Sequence, residues 1–314
     1  MLKRIVFMGT PEFAVPSLET LVRSAYQVVA VYTQPDRKAG RGQSVAFSPV
    51  KQLALSQGLE MIQPDSLKVA GTVEKLASFA PDLIVVAAFG QILPQEMLAL
   101  PKSGCINVHP SLLPRYRGAS PIATAILQGD EITGVTIMLL DVGMDTGPIL
   151  SQRELSISAD DITGSLTAKL AQVGAQLLME TLPLWIDGRI KPQPQEEGRA
   201  SYSKVINKGD GEMDWRLPAL ELWRRVRAFD PWPGCYARWR GKRLKLGKVV
   251  PLYGDKPGEP GKVIALSPPA PAAVGVETGD GVLGLLGVQL EGKREMSADE
   301  FVRGQRDFIG SRLL

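Results

Sequence analysis

Asp82-Leu83-Ile84-Val85-Val86-Ala87-Ala88-Phe89 is apolar at every position after the first. A strand with one face in water alternates apolar and polar residues. A run that is apolar on both faces belongs to a strand covered by helices on both sides, as in a parallel sheet. Short β-rich runs recur on either side of it, at residues 4–8, 27–33, 105–108 and 134–141. Helical spacing fills the intervals. In residues 13–23, Val15, Leu18, Leu21 and Val22 fall on one helix face, and Pro16 stands near the start, where proline is tolerated. Further helices are expected near residues 49–57, 71–79 and 121–128, and a long one over 161–182. This strand–helix alternation predicts an α/β domain with a doubly wound, mostly parallel sheet.

The second half has a different character. Residues 190–199 hold Pro192, Pro194 and several polar side chains, which suits an exposed linker. After a helix near 217–228, short runs separated by Gly and Pro follow at 235–239, 245–250, 262–266, 274–277 and 282–290. Short strands at close spacing predict a small β-barrel or sandwich. The expected domains are residues 1–189, a linker over 190–205, and residues 206–314.

Composition excludes several classes of function. The 314 residues suit two domains, and 44% hydrophobic with 22% charged residues is an ordinary globular composition. The two cysteines, Cys105 and Cys235, are too far apart for a CxxC motif, and the single histidine, His109, excludes multi-histidine metal sites. No apolar run reaches the ~20 residues that a membrane helix needs. With no export signal in the opening residues, the expected location is the cytoplasm. Gly9-Thr10-Pro11 lacks the GxGxxG spacing and no GxxxxGK[ST] occurs, so no dinucleotide or NTP site is signalled.

Charge is uneven. The net charge is +3, yet residues 199–248 carry thirteen Lys/Arg against five Asp/Glu, a local +8. Its densest part is Arg238-Trp239-Arg240-Gly241-Lys242-Arg243-Leu244-Lys245. A second cluster, Arg37-Lys38-Ala39-Gly40-Arg41, follows a strand in the first half. One basic cluster is commonly just solvated; two in separate domains suit a polyanion held by both.

The chemistry concentrates in Gly104-Cys105-Ile106-Asn107-Val108-His109-Pro110-Ser111-Leu112-Leu113-Pro114. On a strand, Ile106 and Val108 share one face and Asn107 and His109 the other, roughly 6.5 Å apart. An amide and an imidazole so placed can converge on one carbonyl oxygen. Ligands of open parallel sheets sit beyond the carboxyl ends of the strands, where this pair falls. Asp141-Val142-Gly143-Met144-Asp145-Thr146-Gly147-Pro148 follows another strand and should lie at a carboxyl edge too. An aspartate there could orient His109 and favour its protonated form; two turn-forming aspartates are the alternative.

Asn107 through Gly118, with Asp145 farther on, resembles the formyl-transfer signature of enzymes that use 10-formyltetrahydrofolate. Over its whole length the chain resembles the branch of that family that acts on methionyl-tRNA. Gly9-Thr10-Pro11-Glu12-Phe13-Ala14, the basic loop Thr33 through Gly42, and Arg227-Ala228-Phe229-Asp230-Pro231-Trp232-Pro233-Gly234 carry the likeness. It departs at Pro110, where many members have glycine, which concerns loop stiffness and no reacting group. The resemblance implies a Rossmann-like catalytic domain followed by a smaller OB-like barrel that binds tRNA. It implies Asn107, His109 and Asp145 as catalytic residues, with protonated His109 donating to the formyl oxygen. It implies a folate site from Ser111, Leu112, Leu113, Pro114, Phe89, Gly90, Gln91 and Asp141, and tRNA contacts from Arg37, Lys38 and Arg41. The implied substrates are methionyl initiator tRNA and 10-formyltetrahydrofolate, with no metal and no membrane, and a monomer is expected. A formyltransferase acting on an amino-sugar nucleotide is the alternative, but it would not need the two basic clusters.

Overall fold

The computed structural model of the chain describes residues 2–39, 44–253 and 258–314. Internal contacts divide it into two units. The first comprises Met1–Pro121, Glu131–Ile157 and Leu166–Ser203; the second comprises Ile122–Asp130, Ser158–Ser165 and Lys204–Leu314.

The strands of the first unit are β1 (Arg4–Gly9), β2 (Gln27–Tyr32), β3 (Arg37–Ala39), β4 (Ser44–Ala46), β5 (Met61–Ile62), β6 (Leu83–Ala87), β7 (Cys105–His109), β8 (Arg117–Gly118), β9 (Ile132–Leu139), β10 (Ile149–Ser156) and β11 (Tyr202–Ser203). Seven of them form one sheet in the order β10-β9-β7-β6-β1-β2-β5. The five from β7 to β5 run parallel. Helix Val15–Val22 links β1 to β2, helix Pro49–Ser56 lies between β2 and β5, and helix Thr72–Ser78 precedes β6. The apolar runs read from the sequence are its centre: Ile5 through Met8 and Leu83 through Ala87 are buried. The chain builds outward from β1 to β5, then returns to β6 on the other side of β1. Such a reversal of strand order opens a crevice at the carboxyl ends. Gly9 permits it, since a β-carbon there would stand 2.7 Å from Ala14 Cβ and 2.9 Å from the Ala87 carbonyl.

One expectation needs correcting. β9 runs antiparallel to β7, pairing Ile106 with Leu139 and His109 with Thr136. The loop after β9 therefore leaves the sheet at the amino end of β7, not at the carboxyl edge where His109 sits. It reaches the site by folding back: a β-carbon on Gly147 would meet the Leu139 carbonyl oxygen and lie 3.3 Å from Met138 Cε. The loop thus lies against its own strand and crosses the sheet face.

Residues 190–203, expected as part of a linker, run along the first unit. Gln193 bridges to Ile149 and β11 pairs in parallel with β8.

The second unit is an antiparallel sheet of β12 (Cys235–Trp239), β13 (Lys242–Leu252), β14 (Val263–Ala265), β15 (Val274–Glu277), β16 (Val282–Leu290) and β17 (Met296–Ser297). Its order is β12-β13-β16-β15-β14, with β17 on β16. Among the described residues β12 and β14 do not pair, so the sheet curls into a half-barrel and stays open. Leu244, Leu246, Val274, Val276, Leu283 and Leu285 fill the inner face, and Trp239, Phe301 and Phe308 meet edge to face at 5.0–5.6 Å. Register shifts on either side of Lys248, with the extra residue first in β13 at Gly247 and then in β16 at Leu286, bend this pair and help the curl.

Candidate active site

β7 separates two tasks by its period of two. Ile106 and Val108 are fully buried on one face, where helix Thr163–Ile186 packs so closely that a β-carbon on Gly174 would lie 2.8 Å from Val108 Cγ1. The opposite face carries Asn107 and His109, both buried. Asp145 is brought to them by the folded-back loop. Asn107 Nδ2 donates to Asp145 Oδ1 at 3.4 Å, and His109 Nδ1 stands 3.7 Å from Asp145 Oδ2. The Gly118 amide donates to Oδ2 at 2.8 Å. The three residues singled out from the sequence therefore meet in one cluster.

The imidazole is held at its other nitrogen as well. Nε2 lies 3.1 Å from the Tyr116 carbonyl oxygen, which can only accept, so Nε2 carries the hydrogen. Burial pushes the His109 imidazole below its ordinary value of 6.5, against the upward pull of the Asp145 carboxylate and the Tyr116 carbonyl. The ring is neutral near pH 7. Its Nδ1 lone pair then faces a carboxylate at a distance too long for a hydrogen bond. The pair is one proton short of a closed ion pair. This corrects the expectation of a protonated His109, because desolvation outweighs the neighbouring charge.

Three non-glycine residues in the segments around the cluster have left-handed backbone: Ala88 (φ 47°), Tyr116 (φ 58°) and Asp145 (φ 54°). Such residues cost about 1–3 kcal/mol each and persist where their surroundings over-determine them. Tyr116 is fixed by its amide on Ser201 Oγ and its carbonyl on His109.

The residues expected around folate divide into two kinds. Ser111, Leu113 and Gln91 are committed inward. The Ser111 carbonyl and the Leu113 amide both bond Thr136 Oγ1, at 2.7 and 3.1 Å, and Gln152 Nε2 bonds the Leu113 carbonyl and Thr136 Oγ1. Gln91 spans from the Leu67 amide to the Pro64 carbonyl. Phe89 is buried, and its carbonyl takes hydrogen bonds from Thr10 Oγ1 and Gln34 Nε2, tying together the loops that follow β1, β2 and β6. Asp141 Oδ1 holds the Gly143 amide and Thr146 Oγ1, so it shapes the turn at the start of the Asp145 loop. Leu112 and Pro114 are half-buried and Gly90 is exposed. Sequence reading missed three large apolar side chains left in solvent: Ile92 and Val142, each 72% exposed, and Met144, 56% exposed. Met144 Sδ would lie 3.4 Å from a β-carbon on Gly118.

Of the residues expected to touch tRNA, Arg37 and Lys38 fall on β3, paired with β4. Their side chains, and the whole of Arg41, lie outside the described residues. In the second unit, Arg227 is spent on structure, donating to the carbonyls of Asp161 and Ser158 with its guanidinium 4.3 Å from the Trp223 ring. Exposed basic side chains are dense on β12 and β13, where Arg238 pairs directly across from Arg243.

Residues 3–182 match the formyl transferase family and residues 205–306 match the formyl transferase C-terminal domain. The methionyl-tRNA formyltransferase of Caldanaerobacter subterraneus subsp. tengcongensis is 47% identical over 96% of this chain and 96% of its own length. That of Roseiflexus sp. strain RS-1 is 48% identical over 99% of this chain and 95% of its own. The chain belongs to the methionyl-tRNA formyltransferases. Among solved structures, WlaRD, a sugar 3N-formyl transferase crystallised in the presence of dTDP and 5-N-formyl-THF, shares the fold at 21% identity and a TM-score of 0.64, over 94% of this chain and 99% of that one. In this methionyl-tRNA formyltransferase the stretch between the two family matches, residues 183–204, is covered by neither. That stretch holds Ser201, already seen on Tyr116, and Gln195, whose amide reaches the Asp145 backbone.

Among the described residues no helix is long and apolar enough to cross a membrane.

Proposed function

We infer that the chain transfers the formyl group of 10-formyltetrahydrofolate to the α-amine of methionyl initiator tRNA, with Asn107, His109 and Asp145 touching the reacting atoms. One observation carries this reading. The sole histidine is buried and neutral, held by one nitrogen on a carbonyl while the other faces a carboxylate. That arrangement leaves one ring nitrogen free of a proton and a carboxylate beside it to stabilise the charge on taking one up, and attack by an amine on a formyl carbon releases one.

His109 Nδ1 takes the proton from the attacking nitrogen as the new C–N bond forms. Asp145 stabilises the imidazolium across the 3.7 Å separation, which closes into a hydrogen-bonded ion pair. Asn107 Nδ2 donates to the formyl oxygen as negative charge gathers there; losing one preorganised donor of this kind typically costs ~10²–10³ in rate. When the bond to the folate nitrogen breaks, His109 returns its proton to that leaving nitrogen. The neutral ring is thus the resting base.

The folate fits on two grounds. Ile92, Val142 and Met144 offer apolar side chains to a planar ring, and the backbone of Ala88 and Gly90 is exposed. Leu112 and Pro114 are the remaining half-buried residues of the signature loop, whereas Ser111, Leu113 and Gln91 act through the loops they brace. We read the half-barrel of the second unit as OB-like, with the cations of β12 and β13 meeting tRNA phosphates together with Arg37, Lys38 and Arg41. The monomer and the cytoplasm belong to the same reading.

The test follows the labelled formyl carbon from a formyl-folate donor offered charged initiator tRNA or an amino-sugar nucleotide. Label in formyl-methionyl-tRNA alone is the expected result; label on the sugar nucleotide instead would overturn the acceptor.

A further inference from the structure

We propose that Gln195 is a positioning residue for the transfer reaction: its side-chain amide fixes the backbone of Asp145 so that the carboxylate faces His109. The proposal rests on the reading of Asp145 as catalytic and names what holds it there.

The two hydrogens of Gln195 Nε2 go to two carbonyls of the loop, Asp145 at 2.8 Å and Gly147 at 2.7 Å. Both lie immediately after the point where the chain takes its left-handed turn, with Asp145 at φ 54°. Backbone of that kind needs external fixing, and one side chain supplies it with two hydrogen bonds to the residues that leave the turn. Gln195 is itself fixed. Its Oε1 accepts from Arg117 Nε at 3.0 Å, which also settles which end of the amide points to the loop. Arg117 is fully buried and pairs through its two other nitrogens with Glu197, at 2.7 and 3.1 Å. From Arg117 the chain runs directly to Gly118, whose amide holds Asp145 Oδ2. The carboxylate is therefore gripped at its side chain by the residue after Arg117 and at its backbone by the residue that Arg117 orients.

The segment bearing Gln195 does not depend on this amide for its own position. The Gln193 backbone exchanges two hydrogen bonds with Ile149, at 2.8 and 2.9 Å, on one side, and the Arg117–Glu197 pair secures the other. Removing the side chain should thus loosen the Asp145 loop and leave the segment in place. Asp145 is the charged group facing the His109 ring among the described residues; Asn107 and the Tyr116 carbonyl are neutral. A displaced carboxylate lets burial act on the imidazole with less opposition, so its titration midpoint falls.

The experiment compares the full-length wild type with Gln195→Ala, Gln195→Glu and Asp145→Asn by kinetics, thermal unfolding and NMR titration of the single imidazole. Gln195→Glu keeps the acceptor for Arg117 and loses both donors, but its added negative charge would itself raise the imidazole midpoint, so its kcat decides the matter if Gln195→Ala does not fold, and the midpoint is read in Gln195→Ala. The expected result is kcat lowered about 10- to 100-fold with KM for both substrates within about twofold, as for a misplaced catalytic group, and a downward shift of the imidazole midpoint. Unchanged kcat in Gln195→Glu, or unchanged kcat and an unmoved midpoint in Gln195→Ala, while Asp145→Asn is crippled, would overturn the role of Gln195. So would a rise in KM alone. An active Asp145→Asn would instead remove the catalytic reading of Asp145, a different failure.

Discussion

The surroundings of His109 and the outer surface of β12 and β13 both carry dense polar chemistry, and they are built in opposite ways. Around His109 the groups are buried or half-buried, they are held by specific hydrogen bonds, and the backbone takes left-handed conformations. On β12 and β13 the outward positions are Tyr236, Arg238, Arg243 and Lys245, with Lys248 between the two register shifts. Arg238 and Arg243 face each other across the strands as like charges, an unfavourable pair for the sheet itself. Arg243 lies 3.8 Å above the Tyr236 ring, and Arg238 pairs with an exposed carboxylate, Glu212, at 3.5 Å. The first region depends on single atoms. The second depends on a total charge that no one residue dominates. Substitutions should therefore act steeply and independently of salt in the first, and weakly and with strong salt dependence in the second.

The sharpest way to break that contrast is at the cluster. His109→Ala and Asp145→Asn should each lower kcat by about 10²–10⁴-fold, the range for loss of a positioned acid–base group. The loss should be the same factor at low and high salt, with tRNA binding nearly unchanged. A loss that salt modulates, or that shows itself in tRNA affinity, would mean these residues belong with the electrostatic surface. Gly147→Ala should have the next largest effect. Its β-carbon has no room against the Leu139 carbonyl, so the loop must move and carry Asp145 with it. About 10- to 100-fold in kcat is expected with no charge altered, measured beside the melting temperature to separate local displacement from unfolding.

What could be read in the sequence was set by local periodicity. β6 is legible because a strand covered on both sides has no polar position, and the shared face of Asn107 and His109 follows from the period of a strand. The direction of β9 is not local: it depends on how the chain returns to the sheet, and the parallel neighbours gave no warning. β10 escaped because Glu154 and Ser156 are exposed on an edge strand and Gln152 is polar, so its apolar content is low. Gln152 and Thr136, which pin the signature loop from two neighbouring strands, looked like ordinary strand polar residues. Residues 190–203 read as a spacer because proline and polar side chains mark loops whether or not a loop is anchored. The charge state of His109 was misjudged for a related reason: a carboxylate thirty-six residues away is visible as a motif, but burial is a property of the fold.

That charge state gives the next prediction. Burial favours the neutral ring, so the folded midpoint lies below the unfolded value of about 6.5. Between those two values the unfolded chain binds the proton and the folded chain does not, and stability rises with pH there. The contribution is complete above the unfolded midpoint and is lost as pH falls through the window below it. With one histidine in the chain, a single imidazole resonance reports the midpoint. It should move lower still in Asp145→Asn, where the upward pull of the carboxylate is gone. A midpoint above 6.5 in the wild type would restore the protonated ring and reverse the direction of proton transfer argued for His109.

The smallest effects belong to the basic surface. Lys248→Ala and Arg238→Ala remove exposed charges, and surface changes of this kind leave stability within about 0.5 kcal/mol. Each should weaken tRNA binding by roughly threefold to tenfold at ~0.1 M salt and reduce the slope of log K against log salt by about 1, as expected when a single cation no longer neutralises a phosphate. The double variant should reduce the slope by about 2, because cations that act through counterion release add. Neither should change kcat at saturating tRNA. A slope that stays at the wild-type value in both single variants would take phosphate binding away from β12 and β13, leave the facing Arg238 and Arg243 without a ligand, and dissolve the contrast between the two regions from its weaker side.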